Sequence, residues 1–119
     1  MRTELLHLID AAFDRIVHCT GQLTDLQLWW RPFDGANSIA NLIIHLCGNL
    51  KQWLVDGIAG TVSTRDRAAE FSVTGGKSRE VLLSDLRLVL EAVRRSLDDL
   101  SREARSLCCI VRQPIPSAP

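Results

Sequence analysis

The sequence predicts an all-α protein that folds as a small helical bundle. Three stretches, at about residues 3–19, 38–58 and 79–100, repeat apolar residues every three or four positions, which is the spacing of one buried helix face. With 119 residues, of which 46% are hydrophobic, the chain can build one core but not two. We expect one bundle over residues 1–113 and a disordered, proline-rich tail over residues 114–119.

The first helix is expected over about residues 3–19. Thr3 is suited to cap its start and Gly21 to end it. His7 and His18 fall opposite the apolar face, so we expect both in solvent. The apolar face itself contains Leu5, Leu6, Ile9, Ala12, Phe13, Ile16 and Val17.

A connector with two adjacent tryptophans follows at residues 22–35, QLTDLQLWWRPFDG. Thr24 is suited to cap a short helical turn, and Pro32 prevents a helix from continuing through it. Trp29 and Trp30 cannot share one helix face, so one of them is expected to close the end of the core. Two roles stay open for this pair: covering the end of the bundle, or stacking on a ligand.

The central helix is expected over about residues 38–58, with Asn37 or Ser38 as its cap. Its apolar face contains Ile39, Leu42, Ile43, Leu46, Leu50, Trp53, Leu54 and Ile58. His45 lies at the edge of that face, and Asn49 and Gln52 follow on the same flank. These three side chains form a polar margin along the helix.

The third helix is expected over about residues 79–100, after a long crossover. The crossover carries the charged run at residues 65–67, which we expect to be solvated. Asp98 and Asp99 oppose the dipole at a helix end. A separate short helix is therefore expected over residues 101–109.

Composition argues against several classes of function. Fourteen basic and fourteen acidic residues cancel, which gives no reason to expect nucleic acid or an anionic membrane as partner. The start lacks the pattern of a signal peptide, and no stretch is apolar enough to span a membrane. The four cysteines form no CxxC pair, so free thiols and a cytoplasmic location are expected.

Four motifs lie within LTDLQLWWRPFDGANSIANLIIHLCGNLKQWLVDGIAG and TRDRAAEF. They are a Trp-Trp-Arg-Pro connector, Asn-Ser-Ile at a helix start, a His-Leu-x-Gly-Asn core and an Arg-Asp-x-x-x-Glu-Phe loop. Together they resemble the DinB-like superfamily, in its mostly uncharacterised branch of small bacterial proteins related to bacillithiol- and mycothiol-dependent transferases. The resemblance covers about residues 23–71, and residues 1–107 more loosely.

The resemblance implies an up-down-down-up four-helix bundle, usually dimeric. Members commonly hold a divalent metal, nickel or zinc, with one histidine from the second helix and an HxxxH pair from the fourth. In relatives that use a low-molecular-weight thiol, the metal activates that thiol. His45 alone carries over as a ligand, because no histidine follows it and the chain continues after Leu107 as CCIVRQPIPSAP. We therefore expect a bundle with three main helices and a truncated fourth.

One imidazole does not make a catalytic zinc site, which normally uses three protein ligands and a water. Cys47 lies roughly 160° around the helix from His45, and Asp56 lies about 16 Å along the axis. His45 is therefore expected to hydrogen-bond within the bundle, without bound metal unless a second chain or the tail cysteines Cys108 and Cys109 complete the site.

Two functions stay open, and whether the protein is an enzyme stays open with them. The first is a self-associating module with an incomplete metal site; the second is a metal- and thiol-dependent transferase whose site is completed across a homodimer. Burying about 400 Å² of apolar surface in the vacant groove is worth roughly 10 kcal/mol, so self-association is expected in either case. A third, weaker interpretation is a ligand pocket lined by Trp29, Trp30 and Trp53 beside Asn49 and Gln52.

Overall fold

The computed structural model describes residues 1–111, with side chains through residue 106. Seven segments follow in chain order: α1 (Arg2–Thr20), α2 (Asp25–Leu28), α3 (Ile39–Leu50), a π-helical segment (Lys51–Asp56), α4 (Gly57–Ala59), α5 (Arg67–Ser72) and α6 (Arg79–Val111). The predicted all-α fold with three main helices is confirmed. None of the described helices has the length and apolar character needed to cross a membrane.

The core lies where α3 packs against α6 and α2 closes one end. Its buried cluster consists of Leu28, Ala40, Ile43, Leu82, Leu86 and Leu90. Helix α1 packs against this cluster through Ile9, Phe13 and Ile16, which are only partly buried. The predicted apolar faces therefore meet, but α1 leaves part of the face of α3 open.

Helix α1 runs antiparallel to α6. Near one end Arg2 pairs with Asp98, and at the other Arg79 donates to the Thr20 and Leu23 carbonyls at 3.5 and 3.1 Å. Between these two ends, Asp10 on α1 pairs with Arg94 on α6. Ion pairs along the two helices therefore fit the antiparallel arrangement.

Helix α3 runs parallel to α6, because the crossover between them returns along α3. Arg65 meets Gln52 near the end of α3, Glu70 meets His45 in its middle, and the Val73 carbonyl accepts from Asn41 at its start. Helix α6 therefore begins at the same end of the bundle as α3.

The prediction that the third helix ends near residue 100 was wrong. Helix α6 continues unbroken to Val111. Asp98 and Asp99 are tolerated because each has a cation, Arg2 and Arg102 respectively, and because neither is at the helix end, where the dipole acts. The predicted helix over 101–109 is part of this one helix, and the predicted tail at 114–119 lies outside the described residues.

Two other local expectations changed. The crossover contains a short helix, α5, whose start is capped by the Asp66 carboxylate accepting from the Ala69 N–H at 3.1 Å. The central helix passes through the π-helical segment, where the Gly57 N–H donates to the Gln52 carbonyl five residues earlier. Such insertions are rare and often lie at functional sites.

Candidate functional site

The crossover places a charged cluster against His45 in the middle of α3. The Glu70 Oε1 atom lies 3.2 Å from His45 Nδ1, and Arg65 Nη2 lies 2.9 Å from the same nitrogen. The ring of Phe71 packs on the imidazole with centroids 4.9 Å apart. His45 remains 29% exposed, so it connects the buried cluster to the surface.

Arg65 and Glu70 form a two-point ion pair. Arg65 Nε donates to Oε2 at 2.9 Å and Nη2 donates to Oε1 at 2.8 Å, while Nη1 donates to the Gln52 side-chain oxygen at 3.0 Å. The side chains of Arg65 and Glu70 are only 10% and 9% exposed. Such planar pairs are among the stronger charge-assisted contacts in proteins.

The pairing changes how both groups titrate. The hydrogen bonds from Arg65 hold the pKa of Glu70 below its usual value, against the burial that raises it, and His45 adds a smaller lowering. The hydrogen bond to Glu70 raises the pKa of Arg65. The expectation that residues 65–67 are solvated is therefore wrong for Arg65, although Asp66 and Arg67 are exposed.

The two contacts to His45 Nδ1 require different protonation states of the ring. This nitrogen accepts from Arg65 when it is unprotonated, and it donates to Glu70 when it carries hydrogen. In both states Nδ1 is engaged inside the cluster. The Nε2 atom makes no hydrogen bond within the described part of the chain, so it is the ring nitrogen that can reach an external partner.

Gly48 allows the ion pair to approach the backbone of α3. A Cβ added at this position would overlap the Glu70 carboxylate and lie 2.9 Å from Arg65 Nε. Gly48 and His45 are one turn apart on α3, so both belong to the helix surface that faces the crossover. The close approach of Glu70 thus explains why the His-Leu-x-Gly-Asn motif has glycine at position 48.

Asn41 holds the end of the crossover against the start of α3. Its side chain is fully buried; Nδ2 donates to the Glu70 and Val73 carbonyls at 3.0 and 2.8 Å. Oδ1 accepts from Arg31 Nη2 at 2.9 Å and from the Ser38 hydroxyl at 2.7 Å. Ser38 and Asn41 also form a capping box.

Arg31 adds a second tie between the connector and the crossover. Its Nη2 donates to the Phe71 and Val73 carbonyls at 3.0 and 2.9 Å, and its Nη1 donates to the Ala36 carbonyl. The helical spacing of apolar residues did not predict the roles of Asn41 and Arg31. The signal available for Asn41 was the spacing Ser-x-x-Asn at a helix start.

A family model described as "MST: Mycothiol-S-transferase" matches residues 4–114. The chain belongs to the mycothiol-S-transferase family. This result confirms the resemblance to the DinB-like superfamily. No curated protein and no solved structure matches the chain.

The fold of this mycothiol-S-transferase family member brings only some of the predicted pocket residues together. Gln52 joins the His45 cluster through Arg65, and Asn49 is half-buried on α3. Trp29 instead donates from its indole N–H to the Lys77 carbonyl at 2.8 Å. Trp30 and Trp53 are 66% and 64% exposed. The aromatic ring that packs on His45 is Phe71.

A polar cavity of about 190 Å³ lies beside the ion pair. Its walls come from the end of α3, the π-helical segment and the crossover: Gly48, Lys51, Gln52, Asp56, Ser63, Thr64, Arg65, Asp66 and Glu70. Two cationic side chains, Lys51 and Arg65, and three anionic ones, Asp56, Asp66 and Glu70, line it, which gives a formal net charge of −1. The cavity gives solvent access to the outer side of the Arg65–Glu70 pair.

Among residues 1–106, whose side chains the structure describes, the donor atoms near His45 do not fit a three-ligand metal centre. Across the described residues, no three His, Cys, Asp or Glu side chains are grouped closely enough to share an ion. Both carboxylate oxygens of Glu70 are bound by Arg65. Burial, followed by Asp85, raises the pKa of the Cys47 thiol to about 11, which disfavours the thiolate that binds metals.

Proposed function

We propose that this member of the mycothiol-S-transferase family acts as a self-associating module, in which a second copy covers the apolar groove between α1 and α3. The observation that carries the proposal is the groove itself. It contains two adjoining cavities, of about 310 and 120 Å³, that share Ile16 and Leu46 in their walls. A continuous apolar groove on a protein surface can mark a site of protein association.

The exposure of apolar side chains along the groove supports the proposal. On α3, Leu42 and Ile39 are 51% and 41% exposed and line the larger cavity. On α1, Ile9, Phe13 and Ile16 are only partly buried against the core and line the smaller cavity. The described residues therefore leave part of the predicted apolar face of α3 in contact with water, and removing that surface from water would favour association.

Sedimentation-velocity ultracentrifugation at micromolar concentration tests the proposal. We expect a dimer for the wild-type protein and a monomer for Leu42→Arg, because the charge would enter the groove. Leu88→Arg is the matched control, since Leu88 is 60% exposed on α6 and lies outside both cavities. A monomeric wild-type protein would refute self-association.

A second candidate function, a metal- and thiol-dependent transferase whose site is completed across the dimer, is favoured by one contact. The Glu70 carboxylate lies beside His45 Nδ1, and a carboxylate at one ring nitrogen commonly orients the other nitrogen towards a metal. The remaining ligands would come from a second chain or from Cys108 and Cys109, which follow the described side chains in the sequence.

Metal analysis of the purified protein separates the two candidates. Nickel or zinc near one equivalent per chain that is lost in His45→Ala and kept in His18→Ala would favour the transferase. His18 is a suitable control because it lies on the exposed surface of α1, where its ring contacts Gln22. Metal that is unaffected by His45→Ala would count against a site at this residue.

A further inference from the structure

The neighbours of His45 determine which of its two ring nitrogens carries hydrogen. A neutral imidazole has one N–H donor and one acceptor nitrogen, and only the acceptor nitrogen has a lone pair for a metal. The described residues make hydrogen bonds to Nδ1 and none to Nε2. The contacts of Nδ1 therefore decide whether Nε2, the nitrogen open to an external partner, offers a hydrogen or a lone pair.

Arg65 can only donate to the ring. Its guanidinium has no acceptor atom and stays protonated in proteins. The Nη2 atom lies 2.9 Å from His45 Nδ1, so a hydrogen on Nδ1 would point at the hydrogens of Nη2 across this short distance. An unprotonated Nδ1 accepts one of them instead. This contact requires the ring hydrogen to be on Nε2.

Glu70 is the weaker competitor for the ring. Its Oε1 atom lies 3.2 Å from His45 Nδ1, farther away than Arg65 Nη2. Both carboxylate oxygens already accept from Arg65, at 2.9 and 2.8 Å. Because Nη2 carries two hydrogens, it can donate to Oε1 and to Nδ1 at the same time. An unprotonated Nδ1 therefore satisfies Arg65, Glu70 and the ring together.

Arg65 is held too firmly to move aside for a hydrogen on Nδ1. Besides the two hydrogen bonds to Glu70, its Nη1 atom donates to the Gln52 side-chain oxygen at 3.0 Å, and its backbone N–H donates to the Ser63 hydroxyl at 3.2 Å. Moving the guanidinium would break charge-assisted hydrogen bonds. Changing the tautomer of His45 requires no movement of heavy atoms, so the ring adapts to Arg65.

We infer that Arg65 is a positioning residue that holds His45 in the tautomer with its hydrogen on Nε2. The exposed nitrogen then offers a hydrogen-bond donor to an acceptor oxygen of a ligand, such as a carboxylate oxygen, and no lone pair to a divalent metal. This tautomer disagrees with the metal-ligand role that the family resemblance implies for His45 and does not depend on the proposed self-association.

Removal of Arg65 should reverse the tautomer. Among the described residues, Glu70 would then be the remaining partner of His45 Nδ1, and a carboxylate at one ring nitrogen fixes the hydrogen on that nitrogen. Arg65→Met should therefore place the hydrogen on Nδ1 and expose a lone pair on Nε2. Arg67→Met is the matched control, because Arg67 is exposed and its guanidinium lies over the Phe71 ring.

Long-range ¹H–¹⁵N NMR spectra of protein with labelled histidines test the assignment. Spectra recorded at pH 8.5 observe neutral rings, and His45→Gln assigns the signals of this residue. We expect Nε2–H at His45 in the wild-type protein and in Arg67→Met, and Nδ1–H in Arg65→Met. His7, which is exposed on α1, is the internal reference and should be the same in all three proteins.

A wild-type ring with its hydrogen on Nδ1 would overturn the assignment, whether or not Arg65→Met folds. Nε2–H in both the wild-type protein and Arg65→Met would also overturn it, because another group would then set the tautomer. Leu42→Arg, the variant expected to be monomeric, should give the wild-type tautomer, so a failure of self-association is observed separately.

A zinc titration followed in the same spectra provides a second readout. We expect the His45 signals of Arg65→Met to respond at zinc concentrations at least tenfold lower than those of the wild-type protein, because only the variant presents a lone pair on Nε2. Wild-type His45 that binds zinc through Nε2 at one equivalent per chain would contradict the assignment.

Discussion

Gly48 lies directly beneath the Glu70 carboxylate, so close that no side chain fits between them. A Cβ at this position would overlap that carboxylate and approach Arg65 Nε to 2.9 Å. The Arg65–Glu70 ion pair can therefore take this position only because residue 48 has no side chain. This relationship explains how a charged pair can lie against the middle of a helix.

The substitution Gly48→Ala should destabilise the protein. Although alanine favours helix formation over glycine, the added methyl group would displace the ion pair, and overpacking of this kind costs about 1–3 kcal/mol. Urea denaturation measures the change. Gly75→Ala is the control, because nothing lies within 4 Å of a Cβ at that glycine; equal stabilities of the two variants would contradict the steric argument.

Acid should destabilise the protein in part through Glu70. The pKa of Glu70 is lowered in the folded state. Its contribution to the free energy of unfolding is therefore fully present above the ordinary glutamate pKa of about 4.3. That contribution is lost as the pH falls through the lower, folded-state pKa. Glu70→Gln should therefore be less stable at pH 7 and lose less stability between pH 5 and 3.

Thermal unfolding at pH 7, 5, 4 and 3 measures this difference. Glu80→Gln is the matched control, because the Glu80 side chain is 72% exposed. It should keep the pH dependence of the wild-type protein. Curves for Glu70→Gln that run parallel to those of the wild-type protein would rule out Glu70 as a source of the acid sensitivity.

Asn41→Ala should be among the more harmful single substitutions. It removes the partner of the Glu70 and Val73 carbonyls and of Arg31, and buried polar groups that lose a partner cost about 1–3 kcal/mol. We expect a loss of roughly 3 kcal/mol in urea denaturation. Asn37→Ala, on the exposed side of the same turn, should change stability by less than about 0.5 kcal/mol.

The thiols of Cys19 and Cys47 should react at different rates. The pKa of Cys47 is raised to about 11, chiefly by burial, whereas Cys19 is exposed. Because the thiolate is the reactive form, iodoacetamide at pH 7.5 should label Cys47 at least tenfold more slowly than Cys19 in the Leu42→Arg variant, in which no second copy covers the groove that Cys19 lines. Peptide mapping after chymotryptic digestion measures both rates, and urea should make them equal; equal rates in the folded protein would contradict the assignment.

The three main helices could be predicted because their information is local. Apolar residues at helical spacing mark a buried face wherever it packs, and Ser38 and Thr24 cap their helices through contacts only three residues away. The extension of α6 was missed because Asp98 depends on Arg2, which lies almost the whole chain away in sequence.

The sequence by itself determined the helical class, the three main helices and the place of His45 on the flank of α3. Only the tertiary structure decided what surrounds that histidine, because Arg65 and Glu70 reach it from positions 20 and 25 residues later. Periodicity describes which face of a helix is apolar, but it does not describe which side chains a returning loop brings to its polar edge. Contacts of that kind depend on packing and on close approaches such as the one that Gly48 permits.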